Sequence, residues 1–226
     1  IDPATGEHNY ESKLDVQDQM QRDIYSDRFA VPGQSVTTPW YEIGPKNAAG
    51  RSRAAVWDLT DVGGTRVIAG GVSGGLWKNN DITDPTQVWT RILGVPGNLA
   101  ISVIVQDPNN TDVLYAGTGE SYTGGDASGN GIYKSFNGGS DWALVFGRGQ
   151  STTVTTTFSG GITRVEGYFA VNDIILYDHD NNAGTDAQVF AAIGTTWHSR
   201  SLSTGLDPFT YGLFKSTDAG STFTQI

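Results

Sequence analysis

The chain has 226 residues, enough to bury a sizeable core, and its 30 glycines, 11% aromatic and 17% charged residues favour strands and turns over helices. A formal net charge of −10 gives a surface that repels phosphate backbones and anionic lipid headgroups, which argues against sequence-independent nucleic-acid or membrane binding. With no cysteine there is no disulfide framework and no thiolate site, and no apolar run reaches the roughly 18 residues of a membrane span.

In chain order, residues 7–28 carry Tyr10, Leu14, Met20 and Ile24 near helical spacing, and the pattern predicts a thin amphipathic helix on the outside of a domain, or else a leader. Residues 1–33 are therefore expected to be a helical or leader segment with its linker. Because Ile1 opens without a methionine or a signal-like stretch, the sequence reads as a processed or trimmed piece of something longer.

From residue 34 onward, short strands repeat in one order, here named A to D. The first set is "RAAVWDL", "RVIAGGV", "GGLWKNN" and "VWTRI"; the second is "AISVIVQD", "DVLYAGTG", "GIYKSFNGGS" and "DWALVF"; the third is "NDIILYD", "QVFAAIG", "GLFKSTDAGS" and "TFTQI". Gly-apolar-aromatic-Lys marks strand C at Gly75 to Lys78, Gly131 to Lys134 and Gly212 to Lys215. An aromatic followed three residues later by Ile or Val marks strand D at Trp89, Trp142 and Phe223, and once more at Trp40, ahead of any complete set.

Four-stranded sets at about 50-residue spacing are the signature of a β-propeller, a ring of small antiparallel sheets. The expectation is an all-β partial propeller over residues 34–226, with blades at about 51–92, 99–146 and 170–226 and an orphan D strand at Trp40 that closes the ring. Three blades fall short of the about four a ring needs, so further blades of the same polypeptide are expected.

The turns from strand C to strand D carry "SFNGGSDW" and "STDAGSTF". Both are similar to the Asp-box, Ser-x-Asp-x-Gly-x-Thr-Trp, of the bacterial neuraminidase (BNR) repeat, where the box is a folded hairpin turn. The matching positions are Ser135, Asn137, Gly139 and Trp142 in one copy and Ser216, Asp218, Gly220 and Phe223 in the other, with Asp141 where Thr is usual. Asp218 and Asn137 read as turn-formers that accept main-chain N–H bonds, because an amide in the same place could not act as a general base. The first set has only a degenerate, lengthened turn, "KNNDITDPTQVW".

The stretch "WYEIGPKNAAGRSRAAVWD", followed by "VIAGGVSGGLWKN", resembles the start of the large Asp-box propellers related to sortilin. That resemblance implies a secreted or cell-surface bacterial protein, of a kind often exported by the type IX system with adhesive and C-terminal sorting modules. It implies a binding or interaction module for a glycan or protein ligand rather than an activity, because fold does not fix function.

Enzyme readings fare less well on the residues. A sialidase needs an arginine triad and an Arg-Ile-Pro motif; Arg51 and Arg53 are the only early pair, no such motif follows, and they read as charges at the start of strand A. In xyloglucan-cleaving propellers a catalytic Asp sits in the first B–C turn, where this chain has Val72 and Ser73. Inverting hydrolysis needs two carboxyl groups about 6.5–9.5 Å apart, which this turn does not offer. A fragment of a propeller glycoside hydrolase, with carboxylates supplied from elsewhere, stays as the alternative. The three histidines give no Ser-His-Asp arrangement.

Loop lengths place the candidate site. The B–C loops "GESYTGGDASGNG" and "GTTWHSRSLSTGLDPFTYG" are long, and the D–A connection after the second set reaches the same face with an expected hairpin around Ser159, Gly160 and Gly161. The ligand-binding candidates on that rim are Glu120, Tyr122, Asp126, Trp197, His198 and Arg200, with Trp197 foremost because an exposed aromatic beside polar groups suits a sugar or peptide. On the opposite face, Asp178, Asp180 and Asn182 alternate like the first half of a calcium loop. The glycine at 184 and the lack of a closing Glu fit a plain acidic turn better, leaving Ca²⁺ as the only cofactor considered.

Overall fold

The computed structural model describes residues 50–120, 129–147, 154–156, 160–162, 169–177, 187–195 and 212–226. The expected helix of residues 7–28 and the orphan strand at Trp40 lie outside them. Among the described residues every regular element is a strand, as the Gly-bounded apolar runs require.

The first sheet is β1 (Ser52–Trp57), β2 (Val67–Gly71), β3 (Gly75–Asn79) and β4 (Thr90–Arg91), antiparallel and in sequential order. The second repeats it with β5 (Ile101–Gln106), β6 (Leu114–Thr118), β7 (Gly131–Ser135) and β8 (Ala143–Gly147). A short hairpin, β9 (Val154–Thr156) and β10 (Gly160–Ile162), precedes the third set of β11 (Phe169–Tyr177), β12 (Gln188–Thr195), β13 (Gly212–Ser216) and β14 (Phe223–Gln225). The registers coincide: Ile68 faces Lys78, Tyr115 faces Lys134 and Phe190 faces Lys215. The lysine that ends the Gly-apolar-aromatic-Lys mark thus holds one place in all three sheets. Among the described residues the sheets do not close into a ring.

Two features depart from expectation. The hairpin β9–β10 forms near the expected place, but Gly160 and Gly161 lie in β10, paired with Thr156 and Thr155, and the hairpin joins the third sheet, with β9 running parallel to β14 and extending it to six strands. The first D strand shrinks to Thr90–Arg91, and Trp89 stays 41% exposed whereas Trp142 and Phe223 are buried. Its cause is the lengthened turn before it. There Asn79, Asp81 and Asp84 each accept the amide two residues on, a staircase of Asx turns that carries the chain away from the register of the other two copies.

The main core lies between the second and third sheets. Tyr115, Ile132 and Phe146 meet Val171, Ile174, Ala191, Phe214 and Phe223. The Phe146 ring sits 5.3 Å from Phe214 and 5.0 Å, edge-on, from Phe223, contacts worth about 1 kcal/mol each beyond the area they bury. Sheet spacing there depends on Gly117, because a Cβ at that position would lie 2.6 Å from Val103 and 2.7 Å from Val171.

Candidate functional site

The two C–D turns are built alike. Ser216 Oγ accepts the amides of Asp218 (3.3 Å) and Gly220 (2.8 Å) and donates to Asp218 Oδ1 (2.7 Å). Asp218 then accepts the Thr222 amide (2.8 Å) and the Thr222 hydroxyl (2.6 Å). Ser135 makes the same three bonds with Asn137 and Gly139, and the Asp141 amide donates to Asn137 Oδ1 at 2.8 Å. The last bond is inverted: the Asn137 amide donates to Asp141 Oδ2 at 2.7 Å, where the Thr222 hydroxyl donates to Asp218. Asp-with-Thr and Asn-with-Asp are two solutions of one donor–acceptor pair, which explains the unusual Asp141.

Burial pushes the Asp218 carboxyl up, but the Thr222 hydroxyl and amide and the Ser216 hydroxyl outweigh it and hold the group below the usual carboxylate range. An acid so held is ionised and has its oxygens committed to the turn. It is a structural acceptor and a poor proton donor or base at neutral pH.

The third turn also fastens the sheets together. Ala219 adopts a left-handed backbone (φ 52°), the place that Gly138 takes in the other copy, and its carbonyl accepts from Tyr115 Oη and Lys134 Nζ, both at 2.7 Å. Both donors are buried on the second sheet. Burial, with the charges of Asp107 and Asp218, raises the Tyr115 phenol and keeps it a donor; burial lowers Lys134, partly offset by the same two carboxylates. On the other side of the second sheet, Gln106 accepts the Leu59 amide (2.9 Å) and donates to Thr111 O (2.6 Å) and to Asp58 (3.4 Å).

At the opposite ends of the strands, β6 runs on to Glu120. Its side chain is 0% exposed and accepts from Arg51 and from Arg53 Nη1 (3.2 Å), which precede and begin β1. The two arginine side chains are 55% and 36% exposed, so the cluster presents arginine outward and carboxylate inward. A buried carboxylate without such partners would be strongly destabilised. Glu120 thus positions the arginines and joins the first two sheets.

Of the six rim candidates, Glu120 is described; Tyr122, Asp126, Trp197, His198 and Arg200 lie outside the described residues, as do Asp178, Asp180 and Asn182. No group of three or more His, Asp or Glu side chains able to hold a metal occurs among the described residues. Sequence reading missed the pairing of Glu120 with Arg51 and Arg53, which are far apart in sequence, and the donors Tyr115 and Lys134. The only sequence signal for the latter was the recurrent strand C lysine.

What fold and site define at this point is an all-β array of repeated antiparallel sheets, interlocked by polar turns, with an arginine pair at one edge. No family model matches the chain, and no curated protein matches it. Among solved structures it is similar to a GH74 xyloglucanase from Xanthomonas campestris, at 15% identity and a TM-score of 0.31, over 77% of this chain. The chain spans 29% of that enzyme's length, and likeness at this level says nothing about reaction or ligand.

Proposed function

We propose that the chain is part of an Asp-box β-propeller of a secreted or cell-surface protein, and that it binds a glycan or protein ligand at the end of the strands where Glu120, Arg51 and Arg53 meet. The observation that carries the reading is the cluster of Glu120 with Arg51 and Arg53. A fully buried carboxylate fixes two arginines that keep solvent-facing surface, and pre-set donors on a rigid scaffold are what recognition of a polar ligand requires. The assignment to Asp-box proteins, and with it the location outside the cell, rests on the resemblance of the two turns. The carboxylate of Asp218 is committed to the amide and hydroxyl of its own turn, so this turn supplies no free acid or base.

The test is a glycan and peptide array probed with the full-length protein, paired with a reducing-end assay on every polysaccharide that binds. Capture without turnover, weakened at least tenfold by Arg51→Ala or Trp197→Ala, is the expected outcome. Steady release of reducing ends would replace this reading with that of a glycoside hydrolase.

A further inference from the structure

Two of the three sheets have the face toward the following repeat covered by that repeat's C–D turn and first strand, although only Lys134, and not Lys78, is bonded to a turn carbonyl. On the first, Ile68, Gly70 and Leu76 are buried: the turn at Gly139 comes so near that a Cβ there would lie 3.1 Å from Ile68 Cδ1, and Ile101 fills the space over Gly70. On the second, Tyr115, Gly117, Ile132 and Lys134 are buried. There the turn at Ala219 and Gly220 supplies the carbonyl, and Val171 fills the space over Gly117.

On the third sheet the register puts Phe190, Ala192, Leu213 and Lys215 at those four places, with Ile175 beside them. None of these side chains is buried; Ile175 is 60% and Leu213 44% exposed. Lys215 Nζ stands 5.3 Å from the Phe190 ring, as Lys134 Nζ stands 5.1 Å from the Tyr115 ring. Among the described residues no carbonyl takes over Lys215 the place that Ala219 O takes over Lys134.

We infer that Ile175, Phe190, Ala192, Leu213 and Lys215 form a docking surface for a further four-stranded sheet of the same repeat, carried by the same polypeptide. Continuity with the two existing interfaces sets the occupant. It brings a first strand laid over Ala192, as at both interfaces, and a C–D turn whose left-handed residue turns its carbonyl to Lys215, as Ala219 does to Lys134 at the second. Because Ala192 stands where the other sheets have Gly70 and Gly117, and interiors are close-packed, that strand presents there a residue smaller than Ile101 or Val171. This surface is distinct from the arginine rim and stands or falls independently of ligand binding.

The 226 residues contain no cysteine, so an introduced thiol is unique among them, and labelling is read at each introduced position by peptide mapping. Leu213→Cys and Ile175→Cys are made in the full-length polypeptide and in the 226-residue chain, with Val62→Cys, a fully exposed position, as control. The expected result is maleimide labelling at least tenfold slower at residues 213 and 175 in the full-length polypeptide only, with residue 62 labelled equally in both. Equal labelling everywhere overturns the proposal. So does protection in the 226-residue chain that rises with its concentration, which would make the occupant a second copy. Lys215→Met is expected to lower the unfolding midpoint of the full-length polypeptide by about 2–4 °C and to leave the shorter chain unchanged. A shift of the same size in both would overturn the carbonyl assignment.

Discussion

At Asp218 and Asn137 the turn closes with the same geometry and opposite donors, so each pair tolerates only a matched exchange. Asn137→Asp sets a second carboxylate against Asp141, whose Oδ2 lies 2.7 Å from the amide it replaces. It is expected to cost about 1 kcal/mol at neutral pH, as solvent-screened like charges do. Adding Asp141→Thr should restore most of the loss, a coupling that urea unfolding of the four proteins measures. Asp218 adds a pH dependence. Its folded-state carboxyl is held below the ordinary range, so its stabilisation is complete above about pH 4, the unfolded value, and is lost as pH falls through the folded one. Stability of the native chain should accordingly fall more steeply below pH 4 than that of Asp218→Asn, which keeps an acceptor for Thr222 but has no proton to bind.

Between elements the decisive contact is the Ala219 carbonyl under two buried donors. Tyr115→Phe and Lys134→Met each leave the carbonyl one partner and should cost about 1 kcal/mol. The double variant leaves it none, and its loss should exceed the sum of the singles; plain additivity in thermal or urea unfolding would show that the two bonds act separately. The strands themselves are legible in the sequence because Gly-apolar-aromatic-Lys fixes the register of β3, β7 and β13 at once. The sheet-to-sheet latch is not, since a left-handed Ala and a tyrosine of the preceding sheet share no local pattern. The parallel attachment of β9 to β14 was equally hidden, because hairpin signals say where a chain turns and not which edge it joins.

At the scale of the described residues, polar turns interlock the sheets at one end of the strands, and the cluster of Glu120 with Arg51 and Arg53 lies at the other. Loop lengths in the sequence suggest Glu120 as a ligand contact on the rim, whereas the chain folds it as a buried carboxylate. Exposure depends on arginines nearly seventy positions away in sequence. Glu120→Ala should therefore cost about 3 kcal/mol by leaving two guanidinium groups over an apolar gap, whereas Glu120→Gln, which keeps one acceptor, should cost less than half as much; calorimetry of the two variants checks the order. The separation of roles between the two ends is the central claim. It is tested most directly by measuring ligand capture and unfolding midpoint together for Trp197→Ala and Asp218→Ala. The expected result is a crossover: the first loses capture and keeps its midpoint, the second loses several degrees and keeps capture. Loss of capture by folded Asp218→Ala, with Trp197→Ala still binding, would contradict it.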